Sequence, residues 1–352
     1  MAERKQTLIF RNRPFVVSAY SIGGKKEGQG PMRKWFDDCL QEDTYGEQTW
    51  EKAESKMLKT AMTEVMRRAG KGSEEVGAML SGDLLNQLMS SSFMARDMHI
   101  PFLGMYGACS TMTESLMLGS VLVDGSYSDN VIIGASSHYC TAERQFRMPL
   151  EHGNQRPPSA QWTATAAGAM MLSSQHMDTK HESDENGDIR ELKQVRVECG
   201  TIGKVIDAGI KDANQMGSAM APAAVDTILN HLQDTGRSID YYDAVFTGDL
   251  GFIGKDIVND LLRDAGIDGK ALEKVYDDCG AMIYERKQDT HSGGSGCGCS
   301  ASLFAGYVYK KMRRGEMSRV LIMSTGALLS TISPFQGESI PGIAHAISLE
   351  AE

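Results

Sequence analysis

The chain repeats itself across its midpoint, and a repeat of this kind leaves few folds open. Gly77-Ala-Met-Leu-Ser-Gly-Asp-Leu-Leu superimposes on Asp243-Ala-Val-Phe-Thr-Gly-Asp-Leu-Gly, an apolar strand-like run ending in Ser/Thr-Gly-Asp-Leu. Ser128 follows Cys109-Ser110 nineteen positions after the cysteine, then Val131-Ile-Ile-Gly-Ala; Ser318 follows Cys299-Ser300 at the same interval, then Val320-Leu-Ile-Met-Ser. Between each cysteine and the next strand, apolar residues return at helical spacing over 110–123 and 300–312. Residues 50–69, with Ala53, Met57, Ala61 and Val65 on one face, predict a further helix, as do 223–232 with Pro222 at the first helical position. Alternating strands and helices predict parallel sheets covered by helices: two similar α/β halves, with a site where their elbows meet.

The acidic tract 176–194 separates the halves, giving an N-terminal half over 1–175 and a C-terminal half over 195–352. Its Asp, Glu, Lys, Asn and Gly content reads as a solvated loop or insertion. A net charge of −10 argues against nucleic acid as a partner, since such binders carry basic stripes against phosphates. No run reaches the roughly 18 apolar residues of a membrane span. Charge at Arg11 and Arg13 interrupts any signal-peptide core, so the protein is expected on the cytoplasmic side. Seven cysteines without framework spacing agree with free thiols.

Phe102-Leu-Gly-Met-Tyr-Gly-Ala-Cys-Ser-Thr-Met-Thr-Glu carries an apolar run through Gly107 into a helix, placing Cys109 at its first turn. The helix dipole there favours thiolate, hence a nucleophile, and Thr111-x-x-Glu114 matches a capping box. The alternative is a small buried cysteine filling a tight turn. Cys297 and Cys299 with Cys279 and His291 lack chelating spacing, so no metal site is expected.

The duplicated halves, the Gly107-Ala-Cys-Ser-Thr elbow and the glycine-rich turn Gly293-Gly-Ser-Gly-Cys-Gly-Cys-Ser-Ala resemble the thiolase and ketoacyl synthase superfamily. That resemblance implies a five-layer αβαβα fold, an acyl-carrying role for Cys109 and an oxyanion-type amide at Gly326. More closely, Ser81-Gly-Asp-Leu-Leu-Asn-Gln, Thr141-Ala-Glu-Arg-Gln-Phe-Arg, Met216-Gly-Ser-Ala-Met-Ala-Pro-Ala-Ala and Glu338-Ser-Ile-Pro-Gly-Ile-Ala-His resemble the stage V sporulation protein AD family. That family is associated with movement of dipicolinic acid (pyridine-2,6-dicarboxylate) into the forming spore and out in germination. The resemblance therefore implies dipicolinic acid as ligand and membrane subunits of a sporulation channel as partners, at the spore inner membrane. It also implies a homodimer, expected through the strand 130–136 after the nucleophile helix.

Condensing relatives need a His with an Asn or second His to stabilise oxyanions. Asp249 and Cys297 stand near those positions, which argues against carbon–carbon bond formation; an acyltransferase using a Cys109 thioester is the alternative. His138 and His291 are candidate bases. For an anion, the helix start at Cys109, Ser110 and Thr111 offers donors, with Ser295, Ser324 and the glycine amides. Asp83 and Asn86 complete the candidate ligand set, with Arg144, Arg147 and Lys204 as candidate cations. No cofactor is expected, and Ca2+ only as part of a ligand complex.

Overall fold

The apolar runs that open each half are strands buried on both faces, as parallel strands under helices must be. A computed structural model describes residues 5–146, 156–177, 181–183 and 189–352. In the N-terminal half the sheet order is Phe102–Gly104, Ala78–Gly82, Asn130–Ser137, Ala166–Ser173, Phe15–Gly23. In the C-terminal half it is Tyr276–Asp278, Ala244–Thr247, Arg319–Ala327, Gly342–Ala351, Val195–Thr201. The two orders are the same path drawn twice, which is the repeat expressed as structure.

Only the first three strands of each path run parallel; the other pairings within each path are antiparallel. The all-parallel expectation fails because Ala327 returns to Gly342 through a loop and the short helix Ser333–Gln336. No crossover helix spans the sheet there, so the chain comes back antiparallel. The two paths meet through Val195↔Val16 and Arg196↔Phe15. The first strand, Thr7–Ile9, pairs with Val195–Thr201 of the opposite half.

Helix Trp50–Ala69 begins where Thr49 accepts the Lys52 amide at 3.3 Å and ends at left-handed Gly70. It covers the outer face of the first sheet with Met57, Leu58, Ala61, Met62 and Val65, the larger of these stabilising by roughly 1.5–3 kcal/mol each. Met216–Thr235 covers the second sheet, and Gly251–Asp264 packs against it. Between the sheets lie Thr111–Asp124 and Cys297–Leu303, the latter continued by a π turn, Phe304–Val308. Thr111–Asp124 touches strands of both sheets, so the layers run helix, sheet, helix, sheet, helix.

Three local expectations change. Helix Met216–Thr235 starts six residues before Pro222, which stands inside it. Small Gly217 lets the first turn lie against Leu250 and Gly254, and that burial offsets the lost hydrogen bond. Strand Asn130–Ser137 is paired on both edges and wholly buried, so it cannot be the dimer strand; the free edge is Phe102–Gly104. Within the acidic tract, His181–Ser183 and Ile189–Glu191 form an antiparallel ladder, and Glu182 holds Arg314 through both carboxylate oxygens at 2.8 and 2.9 Å.

Candidate functional site

After Phe102–Gly104 the chain turns at Ala108, whose φ of 51° is left-handed, a strain of about 1–2 kcal/mol for a residue with a Cβ. Gly107 gives the turn its room, because a Cβ there would meet Ser110 Oγ and Glu114 Oε2. The capping box does not form. Thr111 lies one residue inside the helix, and its hydroxyl donates back to Ala108 O at 2.7 Å. Ser110 Oγ likewise donates to Gly107 O at 2.7 Å, while Glu114 Oε2 is buried without a partner among the described residues. Ser110 and Thr111 therefore spend their hydroxyls on the elbow.

The repeated Ser/Thr-Gly-Asp turns differ in what their aspartates do. Asp83 caps its own loop, accepting the amides of Leu85 at 2.8 Å and Ser91 at 2.7 Å. In the second half Asp278 takes that task. It accepts the amides of Leu250, Gly251 and Ala281 and the Thr247 hydroxyl, at 2.9, 2.8, 3.0 and 2.7 Å. Asp249 is thereby free to turn inward, where it accepts Thr325 Oγ1 at 2.6 Å and the Gly296 amide at 3.1 Å and brings its charge to bear on the Cys109 thiol.

Burial and this carboxylate together set the state of the cysteine. Burial pushes the Cys109 thiol well up, Asp249's charge adds to it, and the Gly296 amide only partly opposes them. Helix-dipole activation, expected from sequence, is outweighed because the elbow is buried and faces a carboxylate. Burial also raises Asp249, to about 7, against the hydrogen bonds from Thr325 and Cys109. Cys297 is raised for the same first reason and donates to Ser136 O at 2.9 Å.

Cys109 opens into a cavity of about 560 Å3 between atoms, open solvent included, of which about 50 Å3 can hold the centre of a water-sized sphere. Leu84, Tyr106, Ala142, Phe146, Met216 and Leu329 make its apolar wall. Glu143, Thr163 and Ser295 supply the polar side chains. A ligand fits only if it is small and displaces what water is there.

Of the candidates, Cys109 and Ser295 line this cavity, with Asp249 and Cys297 tied to Cys109 electrostatically. Gly326 lies against the elbow, where a Cβ would meet Gly107 O and approach Ser110 N to 3.1 Å. The rest serve the fold. Ser324 Oγ donates to Ser300 Oγ at 2.9 Å, and Asn86 is an exposed partner of Gln145. His138 is no base: Nε2 donates to Asp43 O at 2.8 Å, Nδ1 accepts the Cys140 amide at 3.1 Å, and burial lowers its pKa. His291 bonds Pro157 O at 2.8 Å and faces Asp289. Arg144 pairs with Glu51, and Lys204 with Asp226 at 3.1 Å, both away from the cavity; Arg147 lies outside the described residues.

Sequence reasoning missed Glu143. Its signal was present, since Ala142, Glu143 and Phe146 fall within one face of helix Tyr139–Phe146 and Arg144 falls roughly 150° from the middle of that face.

A duplicated five-layer α/β fold with a cysteine elbow between its halves defines a thiolase-like protein. Among solved structures, 3-oxoacyl-[acyl-carrier-protein] synthase III from Aquifex aeolicus is similar, with 12% identity and a TM-score of 0.55 over 96% of this chain and 99% of that one. Cerulenin-bound OleA from Xanthomonas campestris is similar with 11% identity and a TM-score of 0.59 over the whole of both chains. These establish fold. A family model for stage V sporulation protein AD matches residues 4–350, and the Bacillus subtilis (strain 168) protein of that name is 41% identical over 98% of this chain and 97% of its own. The chain belongs to the stage V sporulation protein AD family.

Proposed function

We propose that this sporulation protein is a noncatalytic binder of dipicolinic acid, serving its uptake into the forespore and its release in germination. The reading rests on one observation above the family relation: at the place of a nucleophile, Cys109 is a buried thiol held under the charge of Asp249. A thiol in that state is a poor acyl carrier, while the small cavity beside it has room for a small ligand. Among the described residues no helix is long and apolar enough to cross a membrane. A role at the spore inner membrane therefore goes by docking, as a peripheral subunit beside membrane subunits of the channel.

The cavity wall is apolar with one carboxylate, Glu143, so a bare dicarboxylate at that spot loses hydration without a matching charge. Ca2+ bound to the ligand neutralises it. Titration calorimetry with dipicolinate is expected to show saturable binding at or below millimolar concentration, tighter with Ca2+ than without. Absence of heat in both titrations rejects the reading. The alternative, an acyltransferase working through a Cys109 thioester, is favoured by the intact elbow and the exposure of Cys109 to the cavity.

A further inference from the structure

Strand Phe15–Gly23 pairs with Val195–Thr201 only at Phe15 and Val16. Just past them Val17, Ser18 and Ala19 line a cleft of about 1040 Å3 between atoms, open solvent included. A second cleft, about 870 Å3 on the same measure, shares Val17, Arg68 and Met177 with it, so the two form one groove. Five cations line the first cleft, Lys34, Arg68, Lys310, Arg313 and Arg314, against two carboxylates, Asp37 and Glu182. On a chain of net charge −10 the sign is locally reversed.

Basic residues in the last turns of Trp50–Ala69 and Tyr309–Arg313 offset those helix dipoles, which accounts for part of the surplus. The remainder is felt by the groups themselves. Asp37 serves two cations, Arg68 Nη2 at 3.0 Å and Lys310 Nζ at 2.9 Å. Burial lowers the pKa of Lys310, and repulsion from Arg68 and Arg314 works against the help Asp37 gives. Lys34 is exposed and has no ion pair among the described residues. Its Nζ and Arg314 Cζ stand 5.4 and 5.7 Å from the centroid of Trp35, a ring set edge-on to Tyr307 at 5.0 Å.

Glu182 shows what this wall accepts. It projects from the extended strand His181–Ser183, and its two oxygens take Arg314 Nε and Nη2 at 2.8 and 2.9 Å. Trp35, Met177, Leu192 and Tyr309 line the same cleft and offer apolar contact beside the charges. A flat bilayer matches a concave wall poorly, and Arg313 is only 6% exposed there. A single small anion needs its cations at one point, whereas Arg68 and Lys310 gather at Asp37 and Arg314 lies at Glu182. An acidic chain laid along the groove meets both places.

We propose that this groove binds an acidic, extended peptide segment of a partner protein. The inference goes beyond the proposed function and does not depend on it.

The full chain is titrated by calorimetry with a heptapeptide of alternating Glu and Val, in wild type, Lys34→Glu, the double variant Lys34→Glu with Arg314→Glu, and Lys270→Glu. Lys270 is exposed on helix Gly269–Val275, which lines neither cleft, so its reversal controls for net charge. Expected is saturable binding by wild type and Lys270→Glu within twofold of each other, at least threefold weaker in Lys34→Glu, at least tenfold weaker in the double variant, and weakened by salt. Lys34→Glu changes an exposed side chain and should melt with wild type, which keeps the test valid should the double variant fold poorly. No saturable binding by wild type, equal affinity in wild type and every folded groove variant, or an equal loss in Lys270→Glu overturns the proposal. So does binding of phosphatidylglycerol vesicles or sodium tripolyphosphate through Lys34 and Arg314 without binding of the peptide, which would assign the groove to a membrane surface or to a small polyanion.

Discussion

Replacing Asp249 with Asn makes Cys109 react about 10- to 100-fold faster with a small alkylating reagent at pH 8. The expectation follows from the carboxylate whose charge adds to burial in restraining this elbow. A unit charge about 4 Å away at an effective dielectric near 20 is worth roughly 4 kcal/mol, and even half of that moves a thiol by more than one pKa unit. While the thiol pKa stays above the solution pH, each unit it drops is about a tenfold gain in thiolate. Asn keeps the shape. Its oxygen can accept the Gly296 amide and its nitrogen can donate to the Thr325 hydroxyl, so the turn survives without the charge. The Cys109→Ser protein sets the background from the other cysteines. A wild-type Cys109 that alkylates as fast as the Asp249→Asn variant would show that the carboxylate does not restrain it.

Asp278→Ala is expected to cost about 3–5 kcal/mol of stability, measured by urea unfolding. Two buried amides, one half-buried amide and one hydroxyl lose their shared acceptor, and the Leu250 and Gly251 amides belong to the turn that aims Asp249. The substitution should therefore also loosen the restraint on Cys109. Burial raises Asp278 to about 6 from an ordinary value of 3.8, so the folded state holds its proton more tightly than the unfolded chain does. The stabilisation linked to that proton is fully present below the unfolded value and is lost as pH rises through about 6. The deficit of the variant should accordingly narrow between pH 4 and pH 7. A deficit under about 1 kcal/mol at pH 5 would mean that other groups close this turn.

The duplication was legible because it rests on strands and turns that are local in sequence, and Ser/Thr-Gly-Asp-Leu marks the same strand end in both halves. Asp249 was legible as a candidate for the same reason, since it closes the second copy of that motif. What escaped depends on partners far along the chain. His138 looks like a base until Asp43 O, 95 residues away, takes one ring nitrogen. Strand Asn130–Ser137 looks like an edge until Ala166–Ser173 and Ala78–Gly82 close both its sides. Thr111 misses its capping role by one residue, which no spacing rule resolves. The cations of the groove beside Trp35 come from segments joined only by the fold, so no motif announces them.

The account stands on Cys109 marking a binding cavity without carrying a reaction. Intact-protein mass spectrometry after incubation with a panel of acyl-CoA donors tests this most directly. Wild type is expected to keep its unmodified mass across the panel, while the Asp249→Asn variant is the one expected to show any acyl adduct. A wild-type adduct of acyl mass, absent from Cys109→Ala, would contradict the account and restore Cys109 as a nucleophile.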